Sequence, residues 1–121
     1  MSLVAESTTG VLLSSERTAG EQKGELPEDI GREAALMLLE EIRRGGVVDS
    51  SHQCLVLQLM VLGPEDVSRV SFGILTEQAI KTLRLLKDSF GIVFKIKENL
   101  DNTVTLSCFG TGMKNVSRKA T

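Results

Sequence analysis

The segment GGVVDSSHQ, residues 45–53, divides the sequence into two parts and determines how both are interpreted. Its two glycines follow a helical pattern and are typical of a helix end, because glycine readily adopts the left-handed conformation found there. The strongly apolar stretch from Gln53 to Leu62 predicts a second helix. Because this helix is apolar on nearly every face, we expect it to be covered on more than one side. Between the two helices, Asp49, Ser50 and Ser51 are typical of residues that cap a helix start.

The first part of the chain predicts a β-hairpin, a loop and a long helix. Leu3–Ala5 and Val11–Leu13 flank the turn-forming residues 7–10, which is a hairpin pattern. Polar residues and glycines at 18–25 indicate a flexible loop. Pro27 suits the first turn of a helix, where its missing N–H is not needed. Apolar residues then recur at helical spacing as far as the glycine pair.

The second part continues with a strand, a helix and a closing hairpin. Alternation at Val70, Phe72 and Ile74 predicts the strand, and Thr76 is a suitable cap for the helix. Two further strands are predicted by Ile92, Phe94 and Ile96 before a turn at Asp101-Asn102 and by Val104, Leu106 and Cys108 after it. The order ββ-α-α-β-α-β-β predicts an α+β fold, an α/β sandwich in which an open β-sheet carries helices on one face. We expect residues 1–121 to form a single domain with a flexible tail at 113–121.

Charge is distributed unevenly along the chain. Residues 1–41 hold three basic and nine acidic side chains, whereas residues 42–121 hold eleven basic and seven acidic ones. This asymmetry permits an anionic partner on the second part without requiring one. No apolar run is long enough for a membrane span, so no membrane association is expected. Cys54 and Cys108 lie in apolar patterns and favour buried free thiols over a disulfide.

Taken together and in order, these residues resemble the RNA 3′-terminal phosphate cyclase family, in its non-cyclase, nucleolar branch. The resembling positions extend over nearly the whole chain: Leu3–Glu6, Leu26–Arg32, Leu39–Ile42, Arg44–Gly46, Val48–Ser50, Gln53, Leu59, Met60, Leu62, Gly63, Asp66–Ser68, Phe94–Ile96, Gly110 and Gly112. The resemblance implies repeated α/β units with a smaller domain inserted in the last one. It further implies that this chain is the C-terminal portion of such a protein, following that insertion.

The family's active members have a Val-His-x-x-Asp-Gln pattern whose histidine takes AMP from ATP. The matching residues here are Val48-Asp49-Ser50-Ser51-His52-Gln53, so Asp49 occupies the place of the nucleophile. A carboxylate is a poor substitute for the imidazole in this step, because it lacks the neutral imidazole's ability to attack a phosphoanhydride and then to leave from a cationic phosphoramidate. The resemblance therefore predicts no catalytic residue, no cofactor and no cyclase activity. Asp49 as a cap and His52 as a helix-start residue are the structural interpretations, with an anion- or metal-binding remnant as the alternative for Asp49.

The resemblance implies a ribosome biogenesis factor for the small subunit, located in the nucleus and nucleolus. It would act at the early cleavage sites of pre-ribosomal RNA as a scaffold that binds a GTPase assembly factor, in a small nucleolar ribonucleoprotein context. An enzymatic alternative is a pre-ribosomal RNA endonuclease, and an active cyclase is the third hypothesis. One histidine without partner ligands predicts no metal site.

Basic side chains are the candidate contacts with RNA phosphates or with a partner, although such charges often form only a solvated face. They are Lys81, Arg84, Lys87, Lys95, Lys97, Lys114, Arg118 and Lys119. The pair Gly110 and Gly112 indicates a turn or close backbone packing rather than a nucleotide-binding fingerprint. Separated from the rest of its protein, the chain is expected to expose a sheet edge or helix face and to self-associate.

Overall fold

The computed structural model describes residues 1–20 and 24–117. Within them the elements follow the order β1 (Ser2–Glu6), β2 (Leu12–Glu16), α1 (Pro27–Arg44), α2 (Gln53–Leu62), β3 (Val67–Phe72), α3 (Glu77–Phe90), β4 (Lys95–Glu98) and β5 (Val104–Phe109). The predicted α+β class and the predicted order ββ-α-α-β-α-β-β are both confirmed. Within these residues, no helix combines the length and apolar character that crossing a membrane requires.

The strands form two separate antiparallel sheets. β1 pairs with β2 from Ser2 opposite Glu16 to Glu6 opposite Leu12, and α1 packs on this hairpin. The second sheet has the order β3-β5-β4, so the last strand in sequence lies in its centre. Helices α2 and α3 pack against each other, and α2 also contacts β5. The molecule therefore consists of a hairpin-and-helix half and a larger half around the three-stranded sheet.

The main apolar core lies in the larger half. Its largest fully buried apolar side chains come from α2, β3 and β5, and α3 adds Ala79 and Leu86. The buried cluster contains Leu57, Met60, Val61, Phe72, Ala79, Leu86, Phe94, Leu106 and Cys108. Both cysteines are free thiols, as the sequence predicted, although only Cys108 is fully buried.

The two long helices begin in different ways. Thr76 caps α3 as predicted, because its hydroxyl oxygen accepts a hydrogen bond from the Ala79 amide at 3.1 Å. Helix α1 begins at Pro27 without such a bond, since its N-cap residue is Leu26. Helix α3 ends at Gly91, which adopts the left-handed conformation with φ 68°.

Three expectations about element boundaries and coverage are wrong. Ile74 lies outside β3, and β4 begins only at Lys95, after Ile92 and Phe94. Phe94 is nevertheless buried, because it packs on the core from the segment that leads into the strand. The apolar helix α2 is covered on one side only, and Leu55, Leu59 and Leu62 remain exposed.

Candidate functional site around Asp49 and His52

The loop at residues 45–52 connects α1 to α2 and joins the two halves of the molecule. Gly46 has φ 79° and lies so close to the backbone of Phe72 and Gly73 that a side chain there would collide with it. The next residue, Val47, donates its amide to the Ser71 carbonyl at 2.9 Å. The glycine pair thus ends α1, as predicted, and also brings the loop against the end of β3.

Asp49 is the centre of this loop, and its side chain is turned inward. The residue is only 5% exposed. Carboxylate oxygen Oδ2 accepts hydrogen bonds from the Ser14 amide and the Ser14 hydroxyl, each at 3.1 Å. Oxygen Oδ1 accepts the Ser51 hydroxyl at 2.8 Å and the His52 amide at 3.1 Å. Because Ser14 belongs to β2, this one carboxylate connects the hairpin to the start of α2.

The same hydrogen bonds control the ionisation of Asp49. Burial by itself would raise the pKa of this carboxyl group, since desolvation penalises the charged form. The hydrogen bonds from Ser51, His52 and Ser14 together outweigh burial, so the pKa of Asp49 lies below its usual value. The carboxylate therefore stays charged, and hydrogen bonds from the protein's own donors stabilise that charge.

His52 is the N-cap residue of α2, and its ring reaches the surface. Its Nδ1 atom lies 2.6 Å from Asp49 Oδ1 and 3.2 Å from the Ser51 hydroxyl oxygen. The side chain is 53% exposed. This confirms the interpretation of His52 as a helix-start residue with a local hydrogen bond. The expectation that Asp49, Ser50 or Ser51 caps α2 is wrong, because no side chain bonds an amide of the first turn of this helix. Asp49 instead accepts the amide of His52, the residue that precedes the helix.

A second contact ties the loop to α1. Glu41 accepts hydrogen bonds from the Ser50 amide at 3.0 Å and from the Ser50 hydroxyl. The loop is therefore held from β2 through Asp49 and from α1 through Glu41, and its position depends on both elements of the hairpin-and-helix half.

A cleft of about 250 Å³ opens beside these residues. Its walls carry hydroxyl groups, carboxylates, one imidazole and one thioether. They are formed by Ser14, Ser15, Glu16, Met37, Glu41, Ser50, Ser51 and His52. An imidazole oriented by a carboxylate is an arrangement that can transfer a proton. Within the described part of the chain, however, no lysine or arginine lines the cleft to neutralise a phosphate.

No described His, Cys, Asp or Glu side chains gather in a group of three that could hold a metal ion.

The structure also explains the pair of glycines near the C-terminus. A side chain at Gly110 would collide with the Gly63 and Pro64 carbonyls, and Gly112 has φ 64°. Close backbone packing and a turn, as predicted, account for both.

The candidate basic residues do not gather at this cleft. Lys81, Arg84 and Lys87 lie on α3, and Lys95 and Lys97 lie on β4, all of them exposed. Lys81 pairs with Glu77 at 2.9 Å. Lys114 is exposed after β5, and Arg118 and Lys119 fall outside the described residues. Arg84 and Lys87 line a surface groove together with Ile96 of β4, whereas Lys95 and Lys97 do not line it.

Sequence reasoning missed the partners that fix the site. Ser14 and Glu41 lie 35 and nine residues from the groups that they bind, and neither is part of a local pattern. Gln53 is 2% exposed, and its amide group bonds the Ile74 carbonyl at 3.1 Å and the Thr76 amide at 3.0 Å. An isolated glutamine at the start of an apolar helix was the available signal for that last role.

Comparison with known proteins gives matches over nearly the whole chain. A family model described as the RNA 3′-terminal phosphate cyclase (RTC) insert domain matches residues 1–43. An RNA 3′-terminal phosphate cyclase-like protein of Homo sapiens is 47% identical over 128 residues, covering 98% of this chain and 34% of the relative. A probable RNA 3′-terminal phosphate cyclase-like protein of Arabidopsis thaliana is 44% identical, covering 98% and 36% respectively. The rRNA processing protein rcl1 of Schizosaccharomyces pombe is 38% identical, covering 98% and 33%.

The chain spans about a third of the length of the curated relatives that it matches. The insert-domain match corrects one expectation. We placed the whole chain after the inserted domain, whereas residues 1–43 match the insert itself. The matched segment is nearly coextensive with the hairpin-and-helix half, which ends at Arg44.

Proposed function

Since the chain belongs to the RNA 3′-terminal phosphate cyclase-like family over the third of those proteins that it spans, we propose that it is part of a ribosomal RNA processing factor without cyclase activity. The relative named an rRNA processing protein supports the processing context. In this proposal the whole protein acts in the nucleus and nucleolus, at early cleavage sites of pre-ribosomal RNA for the small subunit. It binds a GTPase assembly factor within a small nucleolar ribonucleoprotein context and serves as a scaffold.

The observation that carries the non-cyclase assignment is the inward orientation of Asp49. All its hydrogen bonds go to the protein's own donors, Ser14, Ser51 and His52, so the carboxylate is occupied in holding the loop. A group that is fully engaged in the structure is not available to attack ATP. The acidic lining of the adjacent cleft, with Glu16 and Glu41, also disfavours a triphosphate, because like charges repel.

Labelled ATP tests this assignment directly. We expect no covalent AMP on the full-length protein after incubation with α-labelled ATP and magnesium, and the same result for His52→Ala. Covalent label that is lost in His52→Ala would overturn the non-cyclase assignment, because it would make the exposed imidazole a nucleophile. A family member with histidine at the nucleophile position serves as the positive control.

A second candidate function, cleavage of pre-ribosomal RNA, is favoured by one observation. The Asp49 carboxylate orients the His52 ring through its Nδ1 atom at 2.6 Å, and His52 lines the cleft, which suits a general base. Incubation of full-length protein with RNA that spans the early cleavage sites distinguishes the two candidates. Scaffold function predicts intact RNA. Cleavage would favour the endonuclease if Asp49→Ala and His52→Ala abolish it and Lys95→Ala only weakens it.

Partner binding tests the scaffold assignment itself. We expect the full-length protein to capture the GTPase assembly factor and pre-ribosomal RNA from nuclear extract. The exposed basic residues of α3 and β4 are the part of this chain that we assign to contact with the protein partner. Failure to recover either partner would contradict the scaffold assignment.

A further inference from the structure

The outer edge of β4 has unpaired backbone groups, apolar side chains and positive charges within one small region. β4 is the edge strand of the sheet β3-β5-β4 among the described residues. All four of its residues are exposed. We propose that this edge binds an extended acidic segment of a partner protein, which adds to the sheet as a further strand. This inference goes beyond the proposed function and does not rest on it.

The pairing of β4 with β5 determines which backbone groups face outward. The Asn99 amide donates to the Thr103 carbonyl at 2.9 Å, and the register continues with Lys97 opposite Thr105 and Lys95 opposite Ser107. Hydrogen-bonded pairs alternate in an antiparallel ladder, so Lys95 and Lys97 direct their backbone groups toward β5. The amides and carbonyls of Ile96 and Glu98 therefore point away from the sheet. These are the groups that an added strand would pair with.

Apolar side chains lie next to this edge on the side of α3. Ile96 is 56% exposed and Val93 is 69% exposed. Both line a groove with Leu83, Ile92 and Phe94, and Arg84 and Lys87 lie at the same groove. An added strand would place every second side chain over this groove. Those side chains are expected to be apolar, because the exposed parts of Ile96 and Val93 would then be removed from water.

Positive charge lies on both faces of the edge. Arg84 and Lys87 line the groove, and Lys95 and Lys97 project from the opposite face of the strand. Among the described residues, none of these four side chains forms an ion pair with a carboxylate. Glu98 is the one acidic residue of the strand. Alternating acidic residues in the added strand would therefore face Lys95 and Lys97. This charge complementarity favours an acidic protein segment as the partner at this edge.

The same features favour a protein segment over RNA. A single RNA strand needs exposed aromatic side chains for base stacking, or a basic groove that follows its backbone. Phe94, the aromatic residue of the groove, is buried, and the rest of the groove floor is aliphatic. A sheet edge offers alternating amides and carbonyls, which a peptide backbone satisfies in register.

Binding of a synthetic peptide tests the proposal. The probe is an eight-residue peptide that alternates glutamate and valine, and the matched control replaces each glutamate with lysine. We expect saturable binding of the acidic peptide to the 121-residue chain and at least about tenfold weaker binding of the lysine peptide. Binding should weaken as salt is raised, because exposed charges are screened. Amide hydrogen exchange at Ile96 and Glu98 should slow when the acidic peptide is bound.

Two variants separate the effect of backbone pairing at the strand edge from the effect of side-chain charge. Ile96→Pro removes an outward amide while leaving the bonds to β5 in place, and Ile96→Ala controls for the lost side chain. We expect the proline variant to bind the peptide about tenfold more weakly than the alanine variant does. The double variant Lys95→Glu with Lys97→Glu should weaken binding similarly, whereas Lys81→Glu, outside the groove, should not. If Ile96→Pro fails to fold, the charge variants and the exchange measurement decide.

The proposal is overturned if the acidic peptide does not bind, or if Ile96 and Glu98 amides exchange equally fast with and without it. It is also overturned if a pentauridylate, which has about the same charge as the peptide, protects these amides more strongly than the peptide does. Sedimentation that shows a dimer in which the same amides are protected without peptide would assign the edge to a second copy of the chain instead.

Discussion

The two halves of the molecule differ sharply in how much apolar surface they bury. The hairpin-and-helix half extends to Arg44 and has Leu13 and Ala34 as its buried apolar residues among those described. The larger half contains the whole of the main buried cluster. A two-stranded hairpin with one helix and so small a core has little stability of its own. The comparison shows that the smaller half depends on the loop at 45–52, whose polar contacts connect it to the larger one.

The largest expected effect contrasts two leucines of the same helix. Leu57 is 0% exposed and belongs to the main core, whereas Leu59 is 58% exposed. Leu57→Ala should lower the free energy of unfolding by about 2–5 kcal/mol, because it leaves a cavity. Leu59→Ala should change it by less than about 0.5 kcal/mol. Urea unfolding followed by circular dichroism measures both, and equal losses would refute the one-sided coverage of α2.

A second substitution breaks the connection between the halves. Asp49→Ala leaves the Ser14 amide without its acceptor, whereas the His52 amide keeps the backbone carbonyl of residue 49 at 3.2 Å. We expect a loss of about 1–3 kcal/mol from the unsatisfied donor. Asp66→Ala removes an exposed carboxylate that accepts the Val67 amide and is the matched control. Hydrogen exchange should speed up across β1, β2 and α1 in Asp49→Ala but not in the control. Unchanged exchange there would show that the halves are joined by other contacts.

Acid should weaken the same connection. The folded-state pKa of Asp49 is below 3.8, the ordinary value for an aspartate, so the unfolded state takes up the proton first as pH falls. Asp49 therefore contributes stability that is fully present well above pH 3.8 and is lost as pH falls below it through the folded-state pKa. Denaturant unfolding between pH 6 and 2 measures this loss, and Asp49→Asn should have a flatter profile. A profile identical to that of the unmodified chain would contradict the role assigned to this carboxylate.

Glu40 contributes to acid sensitivity in the smaller half. Hydrogen bonds from Arg43 and Arg44 lower the pKa of Glu40 from 4.5 to about 2. The contribution of Glu40 to stability is likewise lost as pH falls from 4.5 toward 2. The pH profile of Glu40→Gln separates this contribution from that of Asp49. Because these side chains lie at the surface, salt should reduce the contribution of Glu40 more than that of Asp49.

The smallest expected effect compares the two helix starts. Thr76→Ala removes the cap of α3 and should cost about 1 kcal/mol, whereas Thr76→Ser keeps the hydroxyl and serves as the control. Leu26→Ser would supply the cap that α1 lacks and should stabilise that helix by about 0.5 kcal/mol. Thermal unfolding of the three variants measures these changes. Equal stability of the Thr76→Ala and Thr76→Ser variants would contradict the capping role.

Local sequence signals predicted most of the fold but few of the contacts at the candidate site. Pro27, the glycine pair and Thr76 act through backbone conformation and nearby amides, so their roles could be predicted from neighbouring residues. Gln53–Leu62 was predicted with the correct bounds, because an apolar run interrupted only by Gln58 ends at Gly63. The start of β4 was placed too early, since Ile92 and Phe94 alternate like a strand but pack on the core from a non-strand segment.

The amino-acid sequence by itself determined the order of elements, the helix ends and the presence of a carboxylate at position 49, because these depend on residue type and short-range geometry. The tertiary structure alone decided that the strands form two sheets and that Asp49 turns inward to Ser14. It also decided that His52, rather than Asp49, reaches the cleft. Those outcomes depend on hydrogen-bond donors and surfaces contributed by residues far apart in the chain. A local sequence pattern does not predict which distant groups come into contact.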